Sequence, residues 1–228
     1  MEFASAEFWV AGLEIILINI LLSGDNAVVI ALACRNLPQK QRKQGIFWGV
    51  IGAVVLRVIL TFFAVKLFQL PYVQLVGAAL LVWIGIQLVA EDEDGGKEIE
   101  ASDRLISAIK TVIVADLVMS LDNVIGVAAA AKGSLVLLVF GLVISIPLVV
   151  VSAQLIMKLI ERLPWLVIAG GGLLGYIAGE IAVADTAVKA WIDDVMPSLH
   201  YVAPAVGVLI VVVVGVWLMR RNGSEVSS

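Results

Sequence analysis

The sequence of 228 residues is poor in the side chains that build disulfides and transition-metal sites. It contains one cysteine, Cys34, and one histidine, His200. A single cysteine excludes an intramolecular disulfide and a cysteine-based metal site. No histidine-rich site and no nucleophile–base pair is present either, so we do not expect an enzyme or a resident cofactor. No basic patch suggests a nucleic-acid partner, and no cleavable signal peptide is expected at the N-terminus.

Charge is also scarce. Only 15% of the residues are charged and 61% are hydrophobic, whereas soluble domains carry about 25% charged residues. The mean hydropathy is +1.07. Because a bilayer core is crossed by roughly 20 apolar residues in a helix, the composition predicts an all-α, polytopic membrane protein. We expect one transmembrane domain over residues 1–228, with the lipid bilayer as its partner.

The apolar segments predict seven transmembrane helices, at about 8–33, 46–68, 71–90, 105–131, 134–158, 164–184 and 202–219. Two hydrophilic loops separate them, a basic loop at 35–45 and an acidic linker at about 91–104. With the N-terminus outside, eleven Lys and Arg residues lie on the cytoplasmic side and three lie outside, as the positive-inside rule requires. We therefore expect a multi-pass protein of a bacterial inner (plasma) membrane, with its C-terminus in the cytoplasm.

An internal repeat relates the two halves of the chain. The segment Ser23-Gly24-Asp25-Asn26 corresponds to Ser120-Leu121-Asp122-Asn123 at an offset of 97 residues. Repeat one (about 8–90) and repeat two (about 105–184) hold three spans each, so the second enters the membrane from the opposite side. This is the inverted-repeat plan of many secondary transporters. The additional helix at about 202–219 lies outside the repeats.

Polar residues inside the predicted spans are the candidates for function. A charged side chain at mid-bilayer costs at least roughly 2.5–3.5 kcal/mol, so these residues are expected to face the bundle interior. Four acids against one arginine favour a cation or proton pathway over structural ion pairs, and Arg57 is a candidate to neutralise either Asp116 or Glu180. The set comprises Asn19, Asp25, Asn26, Arg57, Asp116, Asp122, Asn123 and Glu180.

The ligands on offer are carboxylate, amide and hydroxyl oxygens, which suit Mn²⁺, Ca²⁺ or Mg²⁺ better than Zn²⁺ or Cu⁺. Asp116 and Asp122 are six residues apart, about 9 Å along a regular helix. One ion therefore reaches both only if the helix opens, and we predict interruptions near Ser23-Gly24-Asp25 and Ser120-Leu121-Asp122. The glycines of the sixth span, from Gly170 to Gly179, predict a close-packed helix face.

The segment Ile15 to Asn19, followed by Leu22 to Ala33, and the segment Asp116 to Asn123 resemble the motifs of the TerC family of integral membrane proteins, within the broader LysE-like exporter group. The resemblance implies Mn²⁺ efflux, with the family's acidic motifs carried onto Asp25, Asn26, Asp116, Asp122 and Asn123. The family usually has an acid six residues before each motif aspartate. Here the second repeat keeps it as Asp116, but the first has Asn19, so the site has one carboxylate fewer.

Two other classes of function remain open from the sequence. An exporter of amino acids or tellurium oxyanions would need converging positive charge, for which Arg57 alone is available. A membrane scaffold that transports nothing would hold its acids in fixed pairs. A site centred on Arg57 would favour the first class, and acids that are all paired and closed to both sides would favour the second.

Overall fold

The computed structural model describes residues 24–67, 70–91, 101–130 and 135–225, and all regular structure in these ranges is helical. Eight helices occur in this part of the chain. They are α1 (Gly24–Cys34), α2 (Gln39–Leu67), α3 (Val73–Ala90), α4 (Ala101–Ala130), α5 (Leu135–Arg162), α6 (Trp165–Ala184), α7 (Lys189–Val195) and α8 (Leu199–Glu225).

Five helices in the described ranges contain a stretch long and apolar enough to cross a membrane. These stretches are Gln39–Thr61, Val73–Ala90, Val139–Arg162, Trp165–Ala184 and Leu199–Arg221. Large apolar side chains also cover the outside of the bundle, among them Val55 on α2, Leu155 on α5 and Val213 on α8. Such an apolar exterior is stable only in contact with lipid. The prediction of an all-α, multi-pass membrane protein is therefore confirmed.

Helix boundaries differ from the predicted spans mainly in the loops. The basic loop expected at 35–45 is short, because α2 already begins at Gln39 and its first turn starts at the carbonyl of Pro38, which accepts from the amides of Gln41 and Arg42. The short helix α7 was not predicted; its seven residues are too few to produce a hydropathy signal. Residues 8–23 of the first predicted span and residues 92–100 of the acidic linker lie outside the described residues.

The predicted interruption at Ser120-Leu121-Asp122 is wrong. Helix α4 runs through this segment without a break, from Ala101 to Ala130. Leucine is a strong helix former, whereas the corresponding position of the first repeat is glycine, which is not. The interruption predicted near Ser23-Gly24-Asp25 involves residues ahead of α1 that lie outside the described range.

The helices pack as two neighbouring groups. Helices α3, α6 and α8 each pack against the other two. Helix α1 packs against α4 and α5, and α2 packs against the same two helices. A continuous apolar core joins the groups and includes Leu32 of α1, Leu81 of α3 and Leu174 of α6.

Glycines bring α6 and α8 into backbone contact. A Cβ placed on Gly175 would lie 2.3 Å from the carbonyl oxygen of Gly207, and one on Gly179 would lie 2.4 Å from the carbonyl oxygen of Ala203. No side chain fits at these distances, so both α6 positions require glycine. The prediction that the sixth span presents a close-packed glycine face is confirmed, and α8 is the helix against which that face packs.

Both ends of α3 are held by charged side chains from other parts of the fold. At its N-terminus, Asp185 accepts hydrogen bonds from the amides of Tyr72 (3.0 Å), Gln74 (3.0 Å) and Leu75 (3.1 Å). At its C-terminus, Arg35 donates to the carbonyls of Leu88 and Glu91. An anion at the N-terminus and a cation at the C-terminus both complement the helix dipole.

The Asp185 carboxylate lies just beyond α6 and is 1% exposed. Burial raises the pKa of this carboxyl group, but the amides of Ala187, Tyr72, Leu75 and Gln74 stabilise its charged form and leave the pKa below its ordinary value. The amide of Ala187 lies 2.8 Å from Oδ1. Asp185 therefore links α6 to α3 as a charged cap.

Candidate functional site

A polar cluster is buried inside the group formed by α1, α2 and α4. Arg57 comes from the middle of α2 and is 5% exposed, while Asp116 and Ser120 come from α4 and are 8% and 0% exposed. Apolar residues flank all three along the chain, so the hydrophobic spans themselves place these side chains at depth. Polar groups at such depth are stable only when they are hydrogen bonded or paired.

Asp116 is the centre of this cluster. Nη2 of Arg57 donates to Oδ1 of Asp116 at 2.5 Å, and Oγ of Ser120 donates to Oδ2 at 3.1 Å. Asp116 and Ser120 can meet because residues four apart share one face of a helix. Of the two acids named as possible partners of Arg57, the structure pairs it with Asp116.

Asp25 and Asn26 lie at the described start of α1, which packs against α4. Oδ1 of Asp25 accepts from the backbone amide of Asn26 at 2.8 Å. The Asp25 carboxylate is near enough to interact electrostatically with both Asp116 and Arg57. Asn26 itself is buried. The structure thus brings together three of the predicted charged residues, one from each of three helices.

The described cluster has an excess of negative charge, since two carboxylates face one guanidinium. Among the described residues, no three His, Cys, Asp or Glu side chains converge on one point as a metal-chelating group. The side chains of Asp122 and Asn123, further along α4, and residue Asn19 lie outside the described part of the structure. What the described residues offer a cation is therefore the net negative charge and the oxygen atoms of Asp25, Asn26 and Asp116.

Glu180 does not join this cluster, and the expectation that it faces the bundle interior is wrong. It lies on the exposed face of α6, where its carboxylate accepts a hydrogen bond from Tyr176 one turn earlier. The inner face of α6 is occupied by the glycines that contact α8, among them Gly175 and Gly179. A side chain the size of glutamate has no space there.

In the part of the chain that the structure describes, two further pairs of an acidic and a basic side chain lie outside the cluster. Arg42 on α2 pairs with Glu161 near the end of α5. His200, at the start of α8, lies 2.7 Å from Oδ1 of Asp193 on α7. Both pairs are partly or largely exposed, and pairs of this kind contribute about 0–1 kcal/mol to stability.

Sequence reasoning missed the role of two charged residues at the ends of α3. Arg35 entered the prediction only as one of the eleven cytoplasmic Lys and Arg residues, and Asp185 was not among the candidate residues. Their position in the sequence could have indicated a role at a helix end, because each residue directly follows an apolar helix, which ends at Cys34 or at Ala184. Nothing in the sequence indicates which other helix such a terminal charge contacts.

Comparison with known proteins gives a family assignment. A model of the integral membrane protein TerC family matches residues 4–223. The chain is 45% identical over 179 residues to the uncharacterized membrane protein YjbE of Bacillus subtilis, covering 78% of this chain and 82% of that protein. It is 25% identical over 173 residues to the inner membrane protein YgdQ of Escherichia coli K12, covering 68% of this chain and 73% of that protein.

A shorter match links the chain to a protein with a named phenotype. It is 33% identical over 86 residues to the tellurium resistance protein TerC of an Alcaligenes species, covering 36% of this chain and 24% of that protein. No solved structure matches the chain significantly. The family model covers nearly the whole sequence, including both acidic motifs and all the described helices up to the last turn of α8. The chain therefore belongs to the TerC family of integral membrane proteins.

Proposed function

We propose that this protein exports a divalent metal cation, Mn²⁺ in the first instance, across a bacterial inner membrane. The ion is taken from the cytoplasm by oxygen ligands on the first and the fourth transmembrane span, each of which is the first span of one inverted repeat. Alternating access then releases the ion outside. The proposed ligands are Asp25, Asn26, Asp116, Asp122 and Asn123, with Asn19 as a weaker amide ligand. Ca²⁺ and Mg²⁺ are the competing ions, since oxygen ligands suit all three.

The observation that carries the proposal is the cluster of Asp25, Arg57 and Asp116, in which Arg57 and Asp116 are buried and Asp25 is half-buried. Intramembrane ionisable residues mark ion pathways because they are expensive to keep in lipid. With two carboxylates and one guanidinium, the described cluster is left with one negative charge for a cation to balance. Asp122 adds a further acid on α4 in the sequence, and the two negative charges that then remain are balanced by one divalent ion.

The helix contacts support the inverted-repeat part of the proposal. If the two repeats are equivalent, α1, α2 and α3 correspond to α4, α5 and α6. The contact between α2 and α4 then corresponds to the contact between α5 and α1, and both exist. The contact between α3 and α4 likewise corresponds to the contact between α6 and α1, and both of these exist as well. Equivalent glycines lie at this last pair of contacts: Gly77 of α3 lies against Val118, and Gly170 of α6 lies against Leu32.

The topology is proposed on the same basis. Seven spans, with the N-terminus outside and the C-terminus inside, satisfy both the distribution of Lys and Arg and the odd number of spans that an inverted repeat requires. YgdQ is by name an inner membrane protein, which supports the same location for this chain. The whole chain then forms one transmembrane domain, with the acidic linker at about 91–104 in the cytoplasm.

Export of a tellurium oxyanion is the alternative that the name of the Alcaligenes relative suggests. An oxyanion would need positive charge directed at it. Arg57 instead donates to Asp116, and a second acid lies close by. The scaffold alternative is supported by the Arg57–Asp116 pair itself, which is a fixed pair of the kind that it requires, but the excess negative charge argues against it.

Transport in liposomes tests the proposal. Purified protein is reconstituted with a panel of Mn²⁺, Ca²⁺ and Mg²⁺, and metal flux is followed together with a pH probe that reports any exchanged protons. We expect Mn²⁺ flux that Asp25→Asn and Asp122→Asn each reduce by at least about a hundredfold, because each removes a charged ligand from the proposed site. Asp193→Asn is the matched control, because it neutralises an exposed carboxylate. Undiminished flux in both ligand variants would refute the proposal.

A further inference from the structure

Asp116 already has a cation in the described structure. Oδ1 is held by Arg57 at 2.5 Å and Oδ2 by the hydroxyl of Ser120 at 3.1 Å. A guanidinium is a permanent cation in proteins, so this charge cannot leave the cluster as a proton could. A divalent ion that approached Asp116 would meet the guanidinium and be repelled by it. The metal and Arg57 therefore compete for one carboxylate.

The two members of this pair belong to different helices and to different halves of the chain. Arg57 is on α2 and Asp116 is on α4, and the pair is more than nine-tenths buried. A carboxylate at this depth cannot be left uncompensated when the metal leaves, because a lone charge in a low-dielectric interior is strongly unfavourable. Something must neutralise Asp116 while the site is empty, and Arg57 is in place to do so.

We infer that Arg57 is a tethered counter-cation that replaces the transported metal on Asp116 during the return of the empty carrier. Metal binding moves the guanidinium off Asp116, and metal release lets it come back. The inference rests on the proposed function and adds a role to it. Arg57 is not a metal ligand but a positioning residue that permits the metal-free protein to change its orientation.

The sequence of the two repeats supports this reading. Asp116 of the second repeat corresponds to Asn19 of the first at an offset of 97 residues. Arg57 of the first repeat corresponds, at offsets of 92 and 93, to Val149 and Val150 of the second. The positions related to the pair by the repeat, Asn19 in the first half and Val149 or Val150 in the second, are therefore both neutral. The charged pair occurs once, as expected if Arg57 and Asp116 function as a unit.

Two flux measurements on full-length protein in liposomes test the inference. Net export is followed from vesicles loaded with radioactive Mn²⁺ into metal-free buffer, and it requires the empty carrier to return. Exchange is followed with equal Mn²⁺ on both sides, and it does not require that return. Arg57→Gln is expected to lower net export by at least about tenfold and exchange by no more than about threefold. A merely structural arginine would lower both alike.

The ratio of net export to exchange decides the outcome. An unchanged ratio in Arg57→Gln, whether both rates persist or both fall, would overturn the inference. If that variant is not recovered from membranes, Arg57→Lys replaces it, because it keeps a cation beside the buried Asp116 carboxylate. Arg57→Lys is expected to keep the ratio of net export to exchange within about twofold of the wild-type ratio, and a ratio lowered by about tenfold or more would overturn the inference. Absence of both fluxes from wild-type vesicles would instead refute metal transport itself.

Discussion

The two helix groups of this protein are held together by different means. In the group of α3, α6 and α8, glycines allow backbone contact, as between Gly175 and Gly207. In the group of α1, α2 and α4, a buried ion pair between Arg57 and Asp116 contributes to the contact. The first contact is one of shape and tolerates no added atom, whereas the second is one of charge, for which another cation can substitute.

This difference indicates which group can rearrange. Helices packed backbone to backbone lose their contacts when one slides past the other, since the fit depends on each glycine facing a particular carbonyl. An ion pair between α2 and α4 can open if a metal replaces the arginine. We therefore expect α3, α6 and α8 to form a rigid frame and the helices around Arg57 to move against it. The following experiments compare the two groups.

The largest effect on stability is expected from the buried ion pair in the group of α1, α2 and α4. Arg57→Ala leaves the Asp116 carboxylate buried without its guanidinium, and such a loss typically costs about 3–5 kcal/mol. Replacing both residues by apolar ones, in Arg57→Met/Asp116→Leu, should be near neutral or stabilising for the same reason. Denaturation in detergent micelles measures both. Equal destabilisation by the single and double variants would show that the pair contributes shape rather than charge.

The glycine contact is expected to give the next largest effect. Gly175→Ala places a methyl group 2.3 Å from the Gly207 carbonyl oxygen, and because backbone cannot rotate away, we expect a loss of about 3 kcal/mol. Gly172→Ala on the same helix is the control, since its Cβ would meet only side chains at ordinary contact distances, Val212 at 3.4 Å and Val208 at 3.6 Å. Thermal denaturation of both variants checks this. If Gly175→Ala were as stable as Gly172→Ala, α6 and α8 would not be a rigid pair.

Much of the architecture was predictable because lipid imposes simple rules on sequence. Hydropathy predicted the ends of α3, α4, α5 and α6 to within about four residues, and the glycines of α6 indicated a packed face. The burial of Asp116 and Arg57 also followed from the cost of charge in lipid. These features depend on one segment at a time, and local composition is sufficient to predict them.

The position of Glu180 and the partner of Arg57 could not be predicted because both depend on contacts between segments. Glu180 was assigned to the interior by its charge alone, yet the interior face of α6 is filled by glycines packed against α8. The pairing of Arg57 with Asp116 rather than Glu180 required knowledge of which helices are neighbours. The continuity of α4 through Ser120 and Leu121 was missed because the glycine of the first repeat was given too much weight in the second.

The cap on α3 tests how the rigid frame is held at its end. Asp185→Asn removes the charge from a carboxylate bonded to four backbone amides, and we expect a loss of about 1–3 kcal/mol. The pKa of Asp185 is lowered in the folded protein, so its contribution is fully present above the unfolded pKa of about 3.9. This contribution is lost as the pH falls through the pKa of the folded state, which lies below that of the unfolded state.

Denaturation at neutral pH and in the acid range below about pH 4 separates this contribution from others. The difference between wild type and Asp185→Asn should be large at neutral pH and should shrink as the acid range is entered. Asp193→Asn, which alters an exposed acid paired with His200, is the control. A difference that stayed constant with pH would mean that Asp185 acts through its shape and not through its charge.

The smallest effect is expected at Glu180, the acid that lies on the frame and not in the cluster. Glu180→Gln keeps the size of the side chain and its ability to accept a hydrogen bond from Tyr176, on an exposed face where substitutions usually change stability by less than about 0.5 kcal/mol. Mn²⁺ flux should change by less than about twofold. Asp25→Asn is the matched comparison, because it makes the same change of acid to amide in the group of α1, α2 and α4. If Glu180→Gln lowered the flux as far as Asp25→Asn does, the ion pathway would include the outer face of α6, and α3, α6 and α8 could no longer be regarded as a passive frame.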